Sequence, residues 1–206
     1  MFRLLVIDNY DSFTYNLVQM FMSYDLQIDV YRSDKISLDQ ADALSPDYIL
    51  ISPGPKDPQH SGISKLLINA YFQKVPILGV CLGMQCINEV FGGRTIRAPA
   101  PVHGKTSSVM HDNYGIFRGM PSPFIAARYH SLAVETDTSG PLIVTSRSKD
   151  GVIMGISHPG FPLHGIQFHP ESFMTDKGIL IIENFLKMGP IGLGKDNHGY
   201  LTGPVA

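Results

Sequence analysis

The sequence predicts an α/β fold with an open, mainly parallel sheet flanked by helices and an added antiparallel β section. Three observations lead to this prediction. Short apolar runs alternate with helical patterns as far as Gly93, which is typical of parallel strands joined by right-handed crossovers. The first run, at residues 4–7, does not alternate apolar with polar residues, so both faces of that strand are expected to be buried. After Gly93 the segments become short and β-rich, which favours antiparallel pairing.

Length and composition are those of one globular domain. The chain has 206 residues, of which 44% are hydrophobic and 17% are charged, and this length accommodates one well-buried core. The net charge of −2 gives no electrostatic case for binding nucleic acid or an anionic membrane surface. The sequence contains no apolar run of membrane-spanning length and no signal-peptide pattern, so neither a membrane nor a nucleic acid is expected as a partner.

The two cysteines, Cys81 and Cys86, indicate a reducing compartment. Five positions apart on one helix, their Cα atoms would be about 8 Å apart, which is beyond the reach of a disulfide. Two free thiols fit the cytoplasm, which is the expected location. We interpret Cys86 as a residue that fills the core.

Four strands are predicted in the first half of the chain. They are expected at residues 4–7, 28–31, 48–51 and 77–78, with a helix after each. The first helix has Asp11 or Ser12 as its candidate cap. The second begins with a capping box formed by Ser37 and Gln40.

The second half is predicted to be richer in strands. Segments with β propensity lie at residues 105–111, 124–128, 132–135, 142–146 and 152–156, and the last two read as a hairpin. A final strand is expected at residues 165–168, before a helix with Asp176 as its cap. Residues 1–188 are assigned to one domain. Residues 189–206 are rich in glycine and polar side chains, and we expect them to form a poorly ordered tail.

The strongest chemical signal is the sequence G-V-C-L-G-M-Q at residues 79–85. It joins an apolar strand pattern to a helical one, with glycines two residues on either side of Cys81. This pattern is a nucleophile elbow with sulfur in place of oxygen, in which glycines let two backbone segments pass closely. The positive end of the helix dipole favours a thiolate at such a position. The alternative is a buried cysteine packed as a small hydrophobe, which is the more common environment of an isolated cysteine.

Two further segments are expected at the carboxyl ends of strands, where such folds place their functional residues. His169 and Glu171 follow the last strand, and a proline-stiffened extended segment points both side chains the same way. His169 is suited to act as the base for Cys81, and Glu171 to orient the imidazole. Backbone N–H groups at Gly54 and Leu82 are candidate donors to an oxyanion. Together these groups predict acyl-transfer chemistry.

Other interpretations of the same residues carry less weight. A His-x-Glu pattern suggests zinc when a Cys-x-x-Cys pair follows, but none follows here, and no metal is expected. An α/β-hydrolase has its acidic residue before the histidine, the reverse of the order here. The turn at Gly54 could be purely structural, and Gln85 could be a surface or capping glutamine. Six other histidines are interpreted as ordinary polar residues: His103, His111, His130, His158, His164 and His198.

Several motifs together carry a resemblance to a known family. The elbow and G-I-Q-F-H-P-E-S at residues 165–172 resemble the class I, triad-type glutamine amidotransferases, which release ammonia from glutamine through a γ-glutamyl thioester. Within that family, residues 7–17, 103–107 and 128–132 resemble the glutaminase subunits of anthranilate synthase and aminodeoxychorismate synthase. The similarity extends from about residue 4 to about residue 186.

The resemblance implies a role for each matching residue. Cys81 would be the nucleophile, His169 the base and Glu171 the residue that orients it. Lys56 and Met84 depart from the family pattern, which often has a small residue and a histidine at these positions. The residues implied in binding glutamine and its oxyanion are Gly54, Pro55, Lys56, Leu82, Gln85, Ser131 and Leu132.

The resemblance also implies a second protein. Glutaminase subunits of this type hand ammonia to a chorismate-using synthase subunit that is expected to need Mg²⁺, whereas this chain is expected to need no cofactor. The domain has no phosphate loop and no room for an acceptor site. Anthranilate synthesis, 4-amino-4-deoxychorismate synthesis or both fit the sequence. The alternatives are a free-standing cysteine hydrolase or a glutaminase that serves a different synthase, and a binding module without catalysis has no need of the elbow cysteine with His-x-Glu.

Overall fold

A nine-stranded sheet is the centre of the fold in this computed structural model, which describes residues 1–193. Its strands are β1 (Phe2–Asp8), β2 (Leu26–Arg32), β3 (Tyr48–Ile51), β4 (Ile77–Val80), β5 (Arg94–His111), β6 (Phe124–Glu135), β7 (Ile143–Ser148), β8 (Ile153–Ser157) and β9 (Leu163–Ile166). The helices are α1 (Thr14–Phe21), α2 (Leu38–Leu44), α3 (Ser64–Tyr71), α4 (Leu82–Val90), α5 (Gly178–Leu186) and α6 (Pro190–Leu193). Within residues 1–193, the helices all fall short of the length and apolar character needed to cross a membrane.

The sheet has a parallel part and an antiparallel part. The strand order is β2, β1, β3, β4, β9, β8, β7, β5, β6. Neighbours from β2 to β9 are parallel, and neighbours from β9 to β6 are antiparallel. The predicted fold class is confirmed. The antiparallel part is larger than the sequence suggested, since it contributes as many strand pairings as the parallel part.

The inner parallel strands are apolar on both faces because helices cover both, whereas the edge strand β2 is only partly buried. Leu4 of β1 faces the layer of α1 and α5, where Phe21 and Phe185 pack edge to face with their ring centroids 6.2 Å apart. Leu5, the next residue, faces the layer of α2, α3 and α4 and belongs to the same cluster as Ile87. Each face therefore has its own hydrophobic core, as the non-alternating first run predicted.

The predicted caps at the first two helices had different outcomes. The capping box at α2 forms, since Ser37 Oγ accepts from Gln40 N–H (3.2 Å) and Gln40 Oε1 accepts from Ser37 N–H (2.9 Å). The prediction of Asp11 or Ser12 as the cap of α1 is wrong. Phe13 occupies that position, because the Asp11 carboxylate instead accepts a hydrogen bond from Phe13 N–H (2.8 Å) in a local turn.

The last strand and the last long helix are also displaced from the predicted positions. The strand predicted at residues 165–168 lies two residues earlier, at Leu163–Ile166. α5 begins after Lys177 and not after Asp176. The Asp176 carboxylate accepts a hydrogen bond from Ile125 N–H of β6 (3.3 Å), so a tertiary contact replaces the predicted cap.

β5 and β6 are longer than the sequence predicted. β5 begins at Arg94, well before residue 105, and β6 is continuous where two separate segments were predicted. The two strands pair along most of their length, with register shifts between Arg97 and Val102 and again before Lys105. These irregular positions interrupt the alternation of side chains along the strand. The sequence pattern therefore did not predict the first part of β5.

The predicted tail begins with an ordered turn of helix. Ile191 N–H of α6 donates to the Tyr48 hydroxyl (2.9 Å), which itself donates to the Leu186 carbonyl (2.8 Å). This arrangement fastens the end of the domain to β3. Residues 194–206 lie outside the described residues, and their poor order stays a prediction.

The start of α4 packs very closely on the ends of β3 and β4. A Cβ atom on Gly83 would lie 2.4 Å from the Ile51 carbonyl oxygen, and one on Gly79 would lie 2.5 Å from the Gly83 carbonyl. Real Cβ atoms do not approach backbone atoms this closely. The two glycines flanking the elbow therefore have the predicted role of letting the backbone segments pass.

We expect Gly83→Ala to lower the free energy of unfolding by about 1–3 kcal/mol, because its methyl group would overlap the Ile51 carbonyl. The loss should appear although alanine favours helices more than glycine does. Urea unfolding measures the change. Gly160→Ala is the matched control, since its nearest contact would be an ordinary 3.5 Å. Equal stability of the two variants would contradict the packing argument.

His164 is a buried neutral base in the centre of the sheet. It lies on β9, and its Nδ1 is 2.7 Å from the Ser157 hydroxyl of β8. Burial lowers the pKa of His164 to about 3. In the unfolded chain a histidine has a pKa of about 6.5. Protonation of the unfolded chain therefore destabilises the fold as the pH falls below about 6.5, and the contribution at pH 7 is nearly zero.

Between pH 7 and pH 5 we expect His164 to account for a loss of about 2 kcal/mol in the free energy of unfolding. Urea unfolding of the native chain and of His164→Gln at both pH values isolates this contribution. The variant should lose less stability than the native chain over that interval, because its side chain does not titrate. If both lost the same amount, His164 would not be a neutral buried base.

Candidate active site

Cys81 lies between β4 and α4 in a strained backbone conformation. Its φ of 53° and ψ of −102° fall in a region that residues with side chains rarely adopt, at a cost of about 1–3 kcal/mol. Its N–H donates to the Ile166 carbonyl of β9 (2.7 Å), and its carbonyl accepts from Gln85 N–H (3.2 Å). The predicted elbow therefore forms, and hydrogen bonds on both sides hold it in place.

His169 and Glu171 form a buried pair just beyond β9. The His169 Nδ1–H donates to Glu171 Oε1 over 2.6 Å, and both side chains are almost fully buried. Burial alone would lower the pKa of His169, but hydrogen bonding and charge interactions with Cys81 and Glu171 raise it well above its ordinary range. The two side chains meet as predicted, but the predicted extended segment is wrong. Pro170 and Glu171 form a turn, in which Ser172 N–H donates to the His169 carbonyl (3.4 Å).

The Cys81 sulfur is near enough to His169 to contribute to that raised pKa. The His169 Nε2 atom is nevertheless buried without a well-formed hydrogen bond within the part of the chain that the structure describes. Hydrogen bonds between catalytic groups are commonly long or poorly aligned before substrate binds. Since Nδ1 is engaged by Glu171, Nε2 is the ring nitrogen of His169 that is left without a well-formed hydrogen-bond partner among the described residues.

Two aromatic rings and strand β6 contact the His169 segment. The rings of Phe13 and Tyr129 lie 5.9 Å and 5.0 Å from the imidazole, measured between centroids, and both pack edge to face with it. His169 N–H donates to the Ala127 carbonyl of β6 (3.1 Å). Thr175 ties the same two residues together, because its hydroxyl donates to the His169 carbonyl (2.6 Å) and accepts from Ala127 N–H (3.0 Å).

The two residues predicted to donate to an oxyanion are neighbours in space. A Cβ atom on Gly54 would lie 2.7 Å from the Leu82 side chain and 2.6 Å from Asn9 Cβ. Asn9 fixes this loop by donating from its backbone N–H to Ser52 Oγ (2.9 Å) and from its side chain to the Ser52 carbonyl (3.0 Å). Leu82 is the first residue of α4, where N–H groups have no acceptor within the helix.

Pro55 and Lys56 lie exposed on the loop that follows Gly54. Lys56 has a φ of 66°, in the left-handed region that favours glycine. A lysine in this conformation carries a local backbone cost.

Ser131 and Leu132 lie on β6, where two buried side chains hold the Leu132 backbone. The His130 Nδ1–H donates to the Leu132 carbonyl (2.7 Å), and Nε2 accepts from Arg128 Nε–H (3.0 Å). Burial and the adjacent Arg128 charge lower the pKa of His130 to about 4, so the imidazole is neutral. Arg128 in turn pairs with Asp150 (3.0 Å). His130 therefore fixes the Leu132 backbone, a contact that the sequence did not reveal.

Gln85 is buried, which excludes the surface interpretation. Its Nε2 donates to Gln167 Oε1 (3.2 Å), and Gln167 Nε2 donates to the Cys81 sulfur (3.4 Å). Gln167 was not among the residues predicted for the site. Its place in the G-I-Q-F-H-P-E-S motif, two residues before His169, was a usable signal.

The second cysteine is inert in this structure. Cys86 is a free thiol, fully buried in the core, and burial raises its pKa to about 12. Its interpretation as a core residue is confirmed. Among residues 1–193, no three His, Cys, Asp or Glu side chains are grouped so that they could hold a metal ion.

Comparison with known proteins identifies the family. The profile of class-I glutamine amidotransferases matches residues 5–188, and the chain belongs to this family. Anthranilate synthase component 2 of Thermus thermophilus is 49% identical over 188 residues, which cover 90% of this chain and 92% of that protein. Aminodeoxychorismate/anthranilate synthase component 2 of Bacillus subtilis is 48% identical over 185 residues, covering 89% and 95%.

Solved structures show the same fold at lower identity. A protein from Thermoplasma acidophilum superposes with a TM-score of 0.81 at 24% identity, covering 91% of this chain and 94% of the other. A glutamine amidotransferase from Thermotoga maritima gives a TM-score of 0.69 at 16% identity, covering 90% and 81%. At these identities the likeness concerns the fold alone.

We expect Glu171→Gln to reduce the kcat of glutamine hydrolysis about 10²- to 10⁴-fold, and less than Cys81→Ala does. The amide keeps the shape of the side chain but removes the charge that stabilises a protonated His169. Glutamate release measures the rate. Glu135→Gln is the control, because Glu135 forms an exposed pair with Arg94 and should leave the rate unchanged. Native activity of Glu171→Gln would contradict this role.

Proposed function

We propose that this chain is the glutaminase subunit of a chorismate-using synthase that makes anthranilate, 4-amino-4-deoxychorismate or both. The observation that carries the proposal is the elbow cysteine, Cys81, coupled to the buried pair of His169 and Glu171. The names of relatives that are 48% and 49% identical over most of both chains support the choice of synthase.

In the first half of the proposed reaction, the Cys81 thiolate attacks the carboxamide carbon of glutamine. A C–S bond forms, and the carbonyl π electrons move onto oxygen, which the N–H groups near Gly54 and Leu82 stabilise. Protonated His169 then gives its proton to the departing nitrogen. The C–N bond breaks, and ammonia leaves a γ-glutamyl thioester on the sulfur.

In the second half, His169 removes a proton from water, and the hydroxide attacks the thioester carbon. The C–S bond breaks, so that glutamate leaves and the Cys81 thiolate is restored. Glu171 stabilises the imidazolium in both halves. We propose that the amino-acid end and backbone of glutamine are held by Gln85, Ser131 and Leu132, and that Pro55 and Lys56 line the site beside Gly54.

The ammonia would pass to the synthase subunit, which carries the chorismate chemistry. The family match takes up residues 5–188, so one glutaminase domain accounts for nearly all of the described chain. We propose that the synthase subunit requires Mg²⁺ and that this chain requires no cofactor. Its two free thiols fit the reducing cytoplasm.

We expect Cys81→Ala to abolish product formation from glutamine while product formation from added ammonia continues. The assay combines the purified chain with an anthranilate-type or an aminodeoxychorismate-type synthase subunit and identifies the product by mass. Cys86→Ala is the matched control, since it removes the other thiol and should retain glutamine use.

Two results would contradict different parts of the proposal, namely the nucleophile and the synthase partner. Glutamine-dependent synthesis by Cys81→Ala at the native rate would mean that Cys81 is not the nucleophile. High glutaminase activity of the chain alone, unaffected by either synthase subunit, would favour a free-standing hydrolase or a different synthase partner.

A further inference from the structure

We propose that Gln167 is a positioning residue that holds the Cys81 sulfur through a side-chain N–H and favours its thiolate form. Gln85 would fix the orientation of the Gln167 carboxamide. The proposal rests on the proposed role of Cys81 as the nucleophile, and it adds a residue outside the triad and the predicted glutamine-binding set.

The backbone places the Gln167 side chain on the nucleophile's side of the sheet. Gln167 follows β9 directly, and its N–H donates to the Met154 carbonyl of β8 (3.0 Å). The residues before and after it, Ile166 and Phe168, are fully buried in the apolar core. The Gln167 side chain points away from that core, since its carboxamide reaches the Cys81 sulfur.

In the structure the N–H end of the Gln167 carboxamide faces the sulfur. Gln167 Oε1 accepts from Gln85 Nε2 (3.2 Å), and this leaves Gln167 Nε2 to donate to Cys81 Sγ (3.4 Å). The reversed carboxamide would set two NH₂ groups against each other and an oxygen against the sulfur. All three side chains are buried, with 7% or less of each residue exposed, so the network excludes bulk water.

A hydrogen bond to the charged form of an acid favours that form. Gln167 would thus increase the thiolate fraction of Cys81 near neutral pH. It would also make the thiolate less reactive, since a more stabilised thiolate is a weaker nucleophile. When the C–S bond forms, the negative charge moves from sulfur to the carbonyl oxygen, so the hydrogen bond from Gln167 matters most before attack and after the thiolate is restored.

The test is the pH profile of Cys81 alkylation by iodoacetamide in the full chain, followed by mass spectrometry of the peptide that contains Cys81. In Gln167→Met, which keeps the length of the side chain and removes the donor, we expect the midpoint to rise by about one pH unit. The limiting rate at high pH should rise about threefold, because the freed thiolate is more nucleophilic. Gln85→Leu should shift the midpoint in the same direction by a smaller amount.

Asn88→Leu is the matched control for a purely structural effect. Asn88 is a fully buried carboxamide on the same helix, α4, and it donates to the carbonyls of Arg94 and Glu135, each over 3.1 Å. Its loss should destabilise the fold without moving the alkylation profile. Thermal unfolding of each variant shows whether it is folded at the assay temperature. If Gln167→Met is not folded, Gln167→Glu serves instead, because it keeps the acceptor for Gln85 and places a negative oxygen beside the sulfur, which should raise the midpoint further.

A native profile in the folded Gln167 variant would overturn the proposal. A similar shift in Asn88→Leu would overturn it as well, since the effect would then come from general loosening of the helix. The alkylation experiment needs neither glutamine nor a synthase subunit. Failure of the proposed pairing with a chorismate-using subunit would therefore leave the profile unchanged, so the two proposals fail in distinguishable ways.

Discussion

The site depends on the parallel alignment of three neighbouring strands, β3, β4 and β9. Gly79 of β4 pairs with Ile51 on one side and with Gly165 on the other, so the three strands end at the same edge. A Cβ atom on Gly165 would lie 2.9 Å from the Met84 side chain, so this glycine also lets α4 sit close to the sheet. A shift of one residue in any strand would turn its side chains to the opposite face. Backbone packing thus sets where the nucleophile and its base lie, and side-chain hydrogen bonds refine their orientation.

The parallel half and the nucleophile elbow were predictable because their signals are local. Buried strands appear as unbroken apolar runs, and the glycines around Cys81 have a fixed spacing. The antiparallel half was harder, because residues of β5 pair with residues of β6 that lie 15 to 41 positions away, through irregular registers. Thr175 acts through Ala127, a partner that only the tertiary fold brings near, so no sequence pattern pointed to it. The cap predicted at Asp176 was wrong for the same reason.

Two histidines of the site, both nearly fully buried, have opposite electrostatic behaviour. His169 has the carboxylate of Glu171 and the Cys81 sulfur as neighbours, and they raise its pKa. His130 lies beside the Arg128 guanidinium, which adds to the effect of burial and lowers its pKa. A sequence reveals that a residue is histidine but not which charge faces it. The partner in space therefore decides that His169 can carry a proton at neutral pH and that His130 serves as a neutral hydrogen-bonding link.

One of the two neighbours of β4 in the sheet is β9, the last strand among residues 1–193, and 86 positions separate Cys81 from Gln167. During synthesis on a ribosome, the elbow sequence emerges long before the segment that contains its base. The edge of β4 that pairs with β9 has no partner until β9 has been made. The His169 imidazole reaches the Cys81 sulfur only when that pairing is complete. A nascent chain would therefore hold its cysteine without the means to hydrolyse glutamine, and the activity would switch on with completion of the sheet.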